Sequence, residues 1–121
     1  MLKIDMRHKG HICILDLNGS LDLPGAKLLK ESIERARREG IGKIILINFT
    51  GVVTVQHSVL QFLFTPIKVV ASIGGIIGFF GMSPGVHKIM KTSMFYPIIV
   101  VYETEEEGLA SYGYTEEKKD L

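Results

Sequence analysis

Ser58 stands beside His57 in the stretch Gln56-His57-Ser58-Val59, just after an apolar run and where a helix is expected to begin. The first N–H groups of a helix lack intrahelical partners and carry partial positive charge. A hydroxyl there can cap the helix or, if modified, hold a phosphate. A hydrolytic reading of the His-Ser pair fails on geometry, because neighbours on a helix point about 100° apart. There is no Gly-x-Ser-x-Gly elbow, and no oxyanion hole or orienting acid is marked in the sequence. Of the four histidines, His8 and His11 flank a turn, while His57 and His87 open separate helices with no Cys, Asp or Glu at ligand spacing. A metal site needs three or four convergent ligands, so neither a metal nor any other cofactor is expected. Gly75, Gly78 and Gly81 are spaced like a phosphate loop but fall mostly within an expected strand rather than between strand and helix. No acid, base and nucleophile converge, and a non-enzymatic protein is expected.

The elements that must position Ser58 follow from periodicity and turn chemistry. Lys3–Met6 and His11–Leu17 read as strands joined by a hairpin at His8-Lys9-Gly10. Cys13 shares a strand face with Leu15 and Leu17, which makes it a small core residue rather than a nucleophile. From Pro24 to Glu39, Ala26, Leu29, Ile33 and Ala36 form one apolar stripe among lysines, arginines and glutamates. Asp22 is placed to cap this helix, the arginines suit its negative end, and Gly40 and Gly42 are expected to stop it. Ile44–Phe49 is apolar on both faces, as a central strand should be, and a short turn is expected to lead from it to Gln56. In the helix that follows, Leu60, Leu63, Phe64 and Ile67 repeat at helical spacing. Pro66 inside it predicts a kink or break near Thr65, and Gly74-Gly75 an end.

Ile76–Gly81 reads as a buried strand, Ser83-Pro84 as the start of a short helix, Ile98–Tyr102 as a last strand, and Thr104 with Glu107 as a capping box for a last helix. The sum is an α/β domain over residues 1–114, with a mixed, mainly parallel sheet of about five strands, an opening antiparallel hairpin and four helices. Residues 115–121 read as a charged, frayed C-terminal tail.

A chain of 121 residues, 46% of them hydrophobic, can bury its own core as one domain. A formal charge of +1 gives no electrostatic case for direct nucleic-acid binding, so protein or small-molecule partners are expected. One cysteine and no signal-peptide pattern point to a reducing cytoplasm. Val59–Met82 holds only one charged residue, Lys68. Gln61, Pro66, Lys68 and the Gly74-Gly75 pair interrupt it short of the roughly 20 apolar residues a spanning helix needs, so no membrane span is expected.

Three stretches, at characteristic spacing, resemble the STAS domain family: Asn18-Gly19-Ser20-Leu21-Asp22, the run Ile44 to Leu60, and Gly74-Gly75 through Ser83-Pro84-Gly85-Val86. That family is shared by bacterial anti-sigma factor antagonists and the cytoplasmic ends of sulfate transporters. The resemblance implies a domain that binds an anti-sigma factor of the GHKL serine-kinase type and so releases a sigma factor for transcription. It places the family's phosphorylated serine on Ser58 and the docking face around Asp22, Leu23, Gln56, His57, Ser58 and Val59. The motif departs from the family's Asp-Ser-Ser-Gly-Leu: Gln56 replaces Asp, His57 the first Ser and Val59 the Gly, which sets a β-branched residue beside the hydroxyl. A Ser58 that only caps its helix is the competing reading. Other roles stay open for the whole domain: an unphosphorylated scaffold or subunit of a signalling complex or lipid transporter, a homodimer, or a small-molecule or nucleotide sensor with Val59–Ile73 as a pocket wall.

Overall fold

The computed structural model describes residues 1–39 and 43–115. The stop expected at Gly40 and Gly42 and all but the first residue of the tail lie outside the described residues.

The sheet holds β1 (Lys3–Lys9), β2 (Ile12–Leu21), β3 (Ile44–Val55), β4 (Ile76–Phe80) and β5 (Val100–Tyr102), in that spatial order. β1 pairs antiparallel with β2, and every later pair is parallel. Parallel neighbours need crossovers, supplied by α1 (Leu23–Arg38), α2 (Gln61–Ser72) and α3 (Pro84–Met90). Right-handed crossovers between strands taken in sequence order set all three helices on one face. There Ala26, Leu29 and Ile33 of α1, Leu63 and Ile67 of α2, and Val86 and Met90 of α3 close on Cys13, Leu15, Ile45, Ile47 and Phe79. The opposite face is covered by α4 (Glu105–Ser111), whose Leu109 packs on Ile12, Ile14, Leu46 and Phe80. The architecture matches the one read from the sequence, and the alternating burial of both faces explains why β2 and β3 are apolar throughout their first halves.

Local chemistry sets the helix starts. The Asp22 carboxylate accepts the Gly25 N–H at 2.9 Å, Ser83 Oγ accepts the Val86 N–H at 3.2 Å, and Thr104 Oγ1 accepts the Glu107 N–H at 3.1 Å. Glu107 accepts in return from the Glu103 N–H at 2.7 Å, one residue before the cap.

Three expectations need correction. β3 does not turn at Thr50 but runs on to Val55, pairing Asn18 with Gly51 and Leu21 with Val55. Val52-Val53-Thr54-Val55 is a β-branched run that outweighs the turn signal of Thr50-Gly51. The break that Pro66 allowed near Thr65 does not occur, since α2 is continuous through it: the helix is packed along its length by Leu63, Ile67 and Val70, each fully buried, and that burial offsets the lost hydrogen bond. The last strand is only Val100–Tyr102, because Tyr96–Ile98 coil into a 3-10 turn.

Candidate docking site around Ser58

The carboxyl ends of β2 and β3 lie side by side, and the chain leaves each of them at the same edge. Leu21 pairs with Val55, and the Gln56 N–H donates to the Leu21 carbonyl at 2.9 Å. Asp22-Leu23 and Gln56-His57-Ser58 are thereby brought together from positions more than thirty residues apart in sequence. Leu23, the first residue of α1, is a large apolar side chain left 40% exposed.

His57–Val59 form a single 3-10 turn, closed by the Val59 N–H to the Gln56 carbonyl at 3.2 Å, and α2 proper begins only at Gln61. Val59 and Leu60 anchor the turn, each 3% exposed and packed in the core. That anchoring turns Ser58 outward. Its side chain is exposed and its hydroxyl bonds no other group among the described residues, while its carbonyl accepts from Gln61 Nε2 at 3.1 Å. Ser58 does not cap: neither the turn nor α2 has a side-chain cap, because the tighter 3-10 geometry starts the turn at Gln56. Val59 needs a second correction. Its side chain points into the core, so it neither lines an outer face nor stands in front of the Ser58 hydroxyl.

His57 is engaged away from Ser58. Its Nε2 lies 3.0 Å from Thr92 Oγ1, and Thr92 donates its own hydrogen to the Ile89 carbonyl at 2.7 Å. This contact ties the serine turn to the segment after α3. A hollow of about 310 Å³ opens between them, lined among others by His57, Ser58, Phe64, Thr92, Met94 and Phe95. Met94 on its rim is 74% exposed. Thr92 and Met94 carry no local sequence signal, since the pairing with His57 spans 35 positions.

On the α4 side of the sheet a polar network replaces apolar packing. Arg7 Nε and Nη2 hold Asp16 at 2.6 and 3.0 Å, and the same guanidinium holds Glu105 at 2.6 and 3.0 Å. Asn48 Nδ2 donates to Asp16 at 2.8 Å, and Asn48 Oδ1 accepts from the Thr50 N–H and hydroxyl. The hydrogen bonds from Arg7 hold the Asp16 carboxyl below the usual carboxylate range against the opposing effect of partial burial, with Asn48 assisting. The sequence signal was available in Asp16 and Asn48, polar residues that interrupt the apolar first halves of β2 and β3. This network fixes α4 to β1 and β2.

Cys13 is fully buried, and desolvation pushes its thiol up to about 11, as a core residue requires. Among the described residues no three His, Cys, Asp or Glu side chains are grouped to hold a metal, and no helix is long and apolar enough to cross a membrane.

With a five-stranded sheet in this order and a serine turn at the carboxyl end of its central strand, comparison with known proteins becomes decisive. The STAS domain family model matches residues 3–108. The chain belongs to the STAS domain family. Among solved STAS-like structures, an anti-sigma factor antagonist from Mycobacterium paratuberculosis superposes with a TM-score of 0.78 at 14% identity, over 92% of this chain and 93% of that one. SpoIIAA of Bacillus in its phosphorylated form gives 0.66 at 20% identity, over 93% and 99%. A chain of the stressosome, a signal integration and transduction hub, gives 0.60 at 13% identity, over 88% and 94%. At such identities these likenesses establish the shared fold.

Proposed function

We propose that this STAS domain is a non-enzymatic anti-sigma factor antagonist, which binds an anti-sigma factor of the serine-kinase type in the cytoplasm and releases a sigma factor for transcription. Phosphorylation of Ser58 is its switch. The observation that carries the reading is the exposed, unbonded Ser58 hydroxyl on a turn whose two following residues are locked in the core. That the phosphorylated form of Bacillus SpoIIAA shares the fold supports it. The docking surface is the edge formed by Asp22, Leu23, Gln56, His57 and Ser58. Leu23 gives an apolar anchor and the others a polar rim, while Val59 contributes through the core.

The physics of the switch lies in the interface. A phosphate adds about −1.5 to −2 charges at the start of the turn that leads into α2, where the helix dipole tolerates it, so the domain stays folded. A hundredfold loss of affinity needs only about 2.7 kcal/mol, well within what a desolvated or repelled phosphate costs. Incubation with a serine-kinase anti-sigma factor and ATP is expected to add one phosphate by intact mass, and Ser58→Ala to abolish it. Complex formation without a mass shift would make the domain an unphosphorylated scaffold. The replacement of the family's Asp-Ser by Gln56-His57, with His57 committed to Thr92, favours that second reading, and the shared fold of the stressosome chain supports it. Neither binding nor phosphate would remove the antagonist reading.

A further inference from the structure

The serine turn is held unevenly along its length. After Ser58 the chain is pinned by burial of Val59 and Leu60. Before Ser58 the last backbone tie to the sheet is the Gln56 N–H on the Leu21 carbonyl, and both Gln56 and His57 are exposed. The turn itself closes on two 3-10 hydrogen bonds, from the Val59 N–H to the Gln56 carbonyl at 3.2 Å and from the Leu60 N–H to the His57 carbonyl at 3.1 Å. Such bonds have poorer geometry than those of an α-helix, and no side-chain cap reinforces them at Gln56 or at Leu60. Among the described residues, the side chain that ties the turn to a distant segment is His57, whose Nε2 lies 3.0 Å from Thr92 Oγ1.

Thr92 is a firm post for that tie. It stands between two buried side chains, Met90 at the end of α3 and Phe95, whose ring centroid lies 5.8 Å from that of Phe79 in the core. Its backbone N–H and its hydroxyl both close on the Ile89 carbonyl, at 3.1 and 2.7 Å. The segment that holds His57 is therefore anchored by contacts of its own. Both ends of the His57–Thr92 contact are exposed, so it adds little to the stability of the fold. What it fixes is direction, since Ser58 sits between a neighbour held by Thr92 and a neighbour held in the core.

We infer that Thr92 is a positioning residue for Ser58: by holding His57 across the hollow, it sets the direction in which the Ser58 hydroxyl is presented. The inference rests on the reading of Ser58 as a phosphoryl acceptor. In that step the Ser58 oxygen bonds to the γ-phosphorus of ATP, the bond from that phosphorus to the ADP oxygen breaks, and the hydroxyl proton leaves to a base of the kinase. The attacking oxygen must stand in line with the breaking bond, so a small misplacement lowers the rate of transfer more than it weakens docking. Thr92 acts in this through His57.

The test uses the full chain with a GHKL-type serine-kinase anti-sigma factor and ATP, and follows phosphate uptake by intact mass. Thr92→Val keeps the shape of the side chain and removes its hydroxyl. It is expected to lower kcat about tenfold, with KM changed by less than about twofold and the melting temperature unaltered, while Thr92→Ser keeps the hydroxyl and restores the rate. In a His57→Ala background Thr92→Val should add no further loss, because the route through His57 is already cut. Full rate in Thr92→Val, no recovery in Thr92→Ser, or a further tenfold or so loss in the His57→Ala background would each overturn the proposal. Backbone relaxation by NMR separates it from the reading it rests on. The order parameters of the His57 and Ser58 amides are expected to fall from about 0.85 toward about 0.6 in Thr92→Val and to stay high in Thr92→Ser. If the unaltered chain takes up no phosphate, the acceptor reading falls and relaxation alone decides the tether, which unchanged order parameters in Thr92→Val would overturn.

Discussion

At the residue level, side chains that face solvent without partners should matter to binding and not to folding. Ser58→Ala is expected to leave the melting temperature unchanged, within about 0.5 kcal/mol, since the hydroxyl bonds nothing. Asp22→Ala removes the α1 cap and should cost about 1 kcal/mol by denaturant unfolding. Asp16 gives a pH dependence. Its carboxyl is held below its unfolded value of about 3.9, so its stabilisation is fully present above that pH and is lost as pH falls through the lower folded value. Thermal melts across the acid range should therefore show Asp16→Asn starting less stable at neutral pH and falling less steeply below about pH 4 than the unaltered protein. Asp22 and Thr104 were legible as caps because each acts within three residues of itself. The inward turn of Val59 was not, because a 3-10 turn rotates side chains to a different phase from an α-helix. The bond of His57 to Thr92 depends on a tertiary approach that no local pattern encodes.

Among the elements, α4 is held to the sheet by the Leu109 contacts and by the double grip of Arg7 on Asp16 and Glu105. Arg7→Ala is expected to speed amide exchange in α4 by tenfold or so while leaving the slowest amides of β2 and β3 little changed, because it frees an edge element rather than the core. Gly81→Ala places a Cβ against Thr50 in a left-handed backbone, and about 1 kcal/mol or more of destabilisation should follow in urea unfolding. The order of strands and helices could be read from periodicity, since alternating buried strands and striped helices leave few arrangements. The extent of β3 could not, as Thr50-Gly51 resembles a turn until Asn18 and Leu21 are seen pairing beyond it. The continuity of α2 through Pro66 was hidden for a related reason: proline's cost is local, while the burial that offsets it comes from the facing sheet.

For the molecule as a whole, one core spans the helix-covered face from Leu2 to Ile99, and Cys13 sits within it at zero exposure. Its thiol should resist Ellman's reagent in the native state and react fully in denaturant, so its labelling rate reports global opening. That core holds Val59 and Leu60, and so fixes the turn that bears Ser58. The most direct measurement is calorimetric titration of a serine-kinase anti-sigma factor with the unmodified domain and with the same domain phosphorylated at Ser58. Tight binding of the first and about a hundredfold weaker binding of the second are expected. Equal affinities for the two forms would contradict Ser58 as the switch.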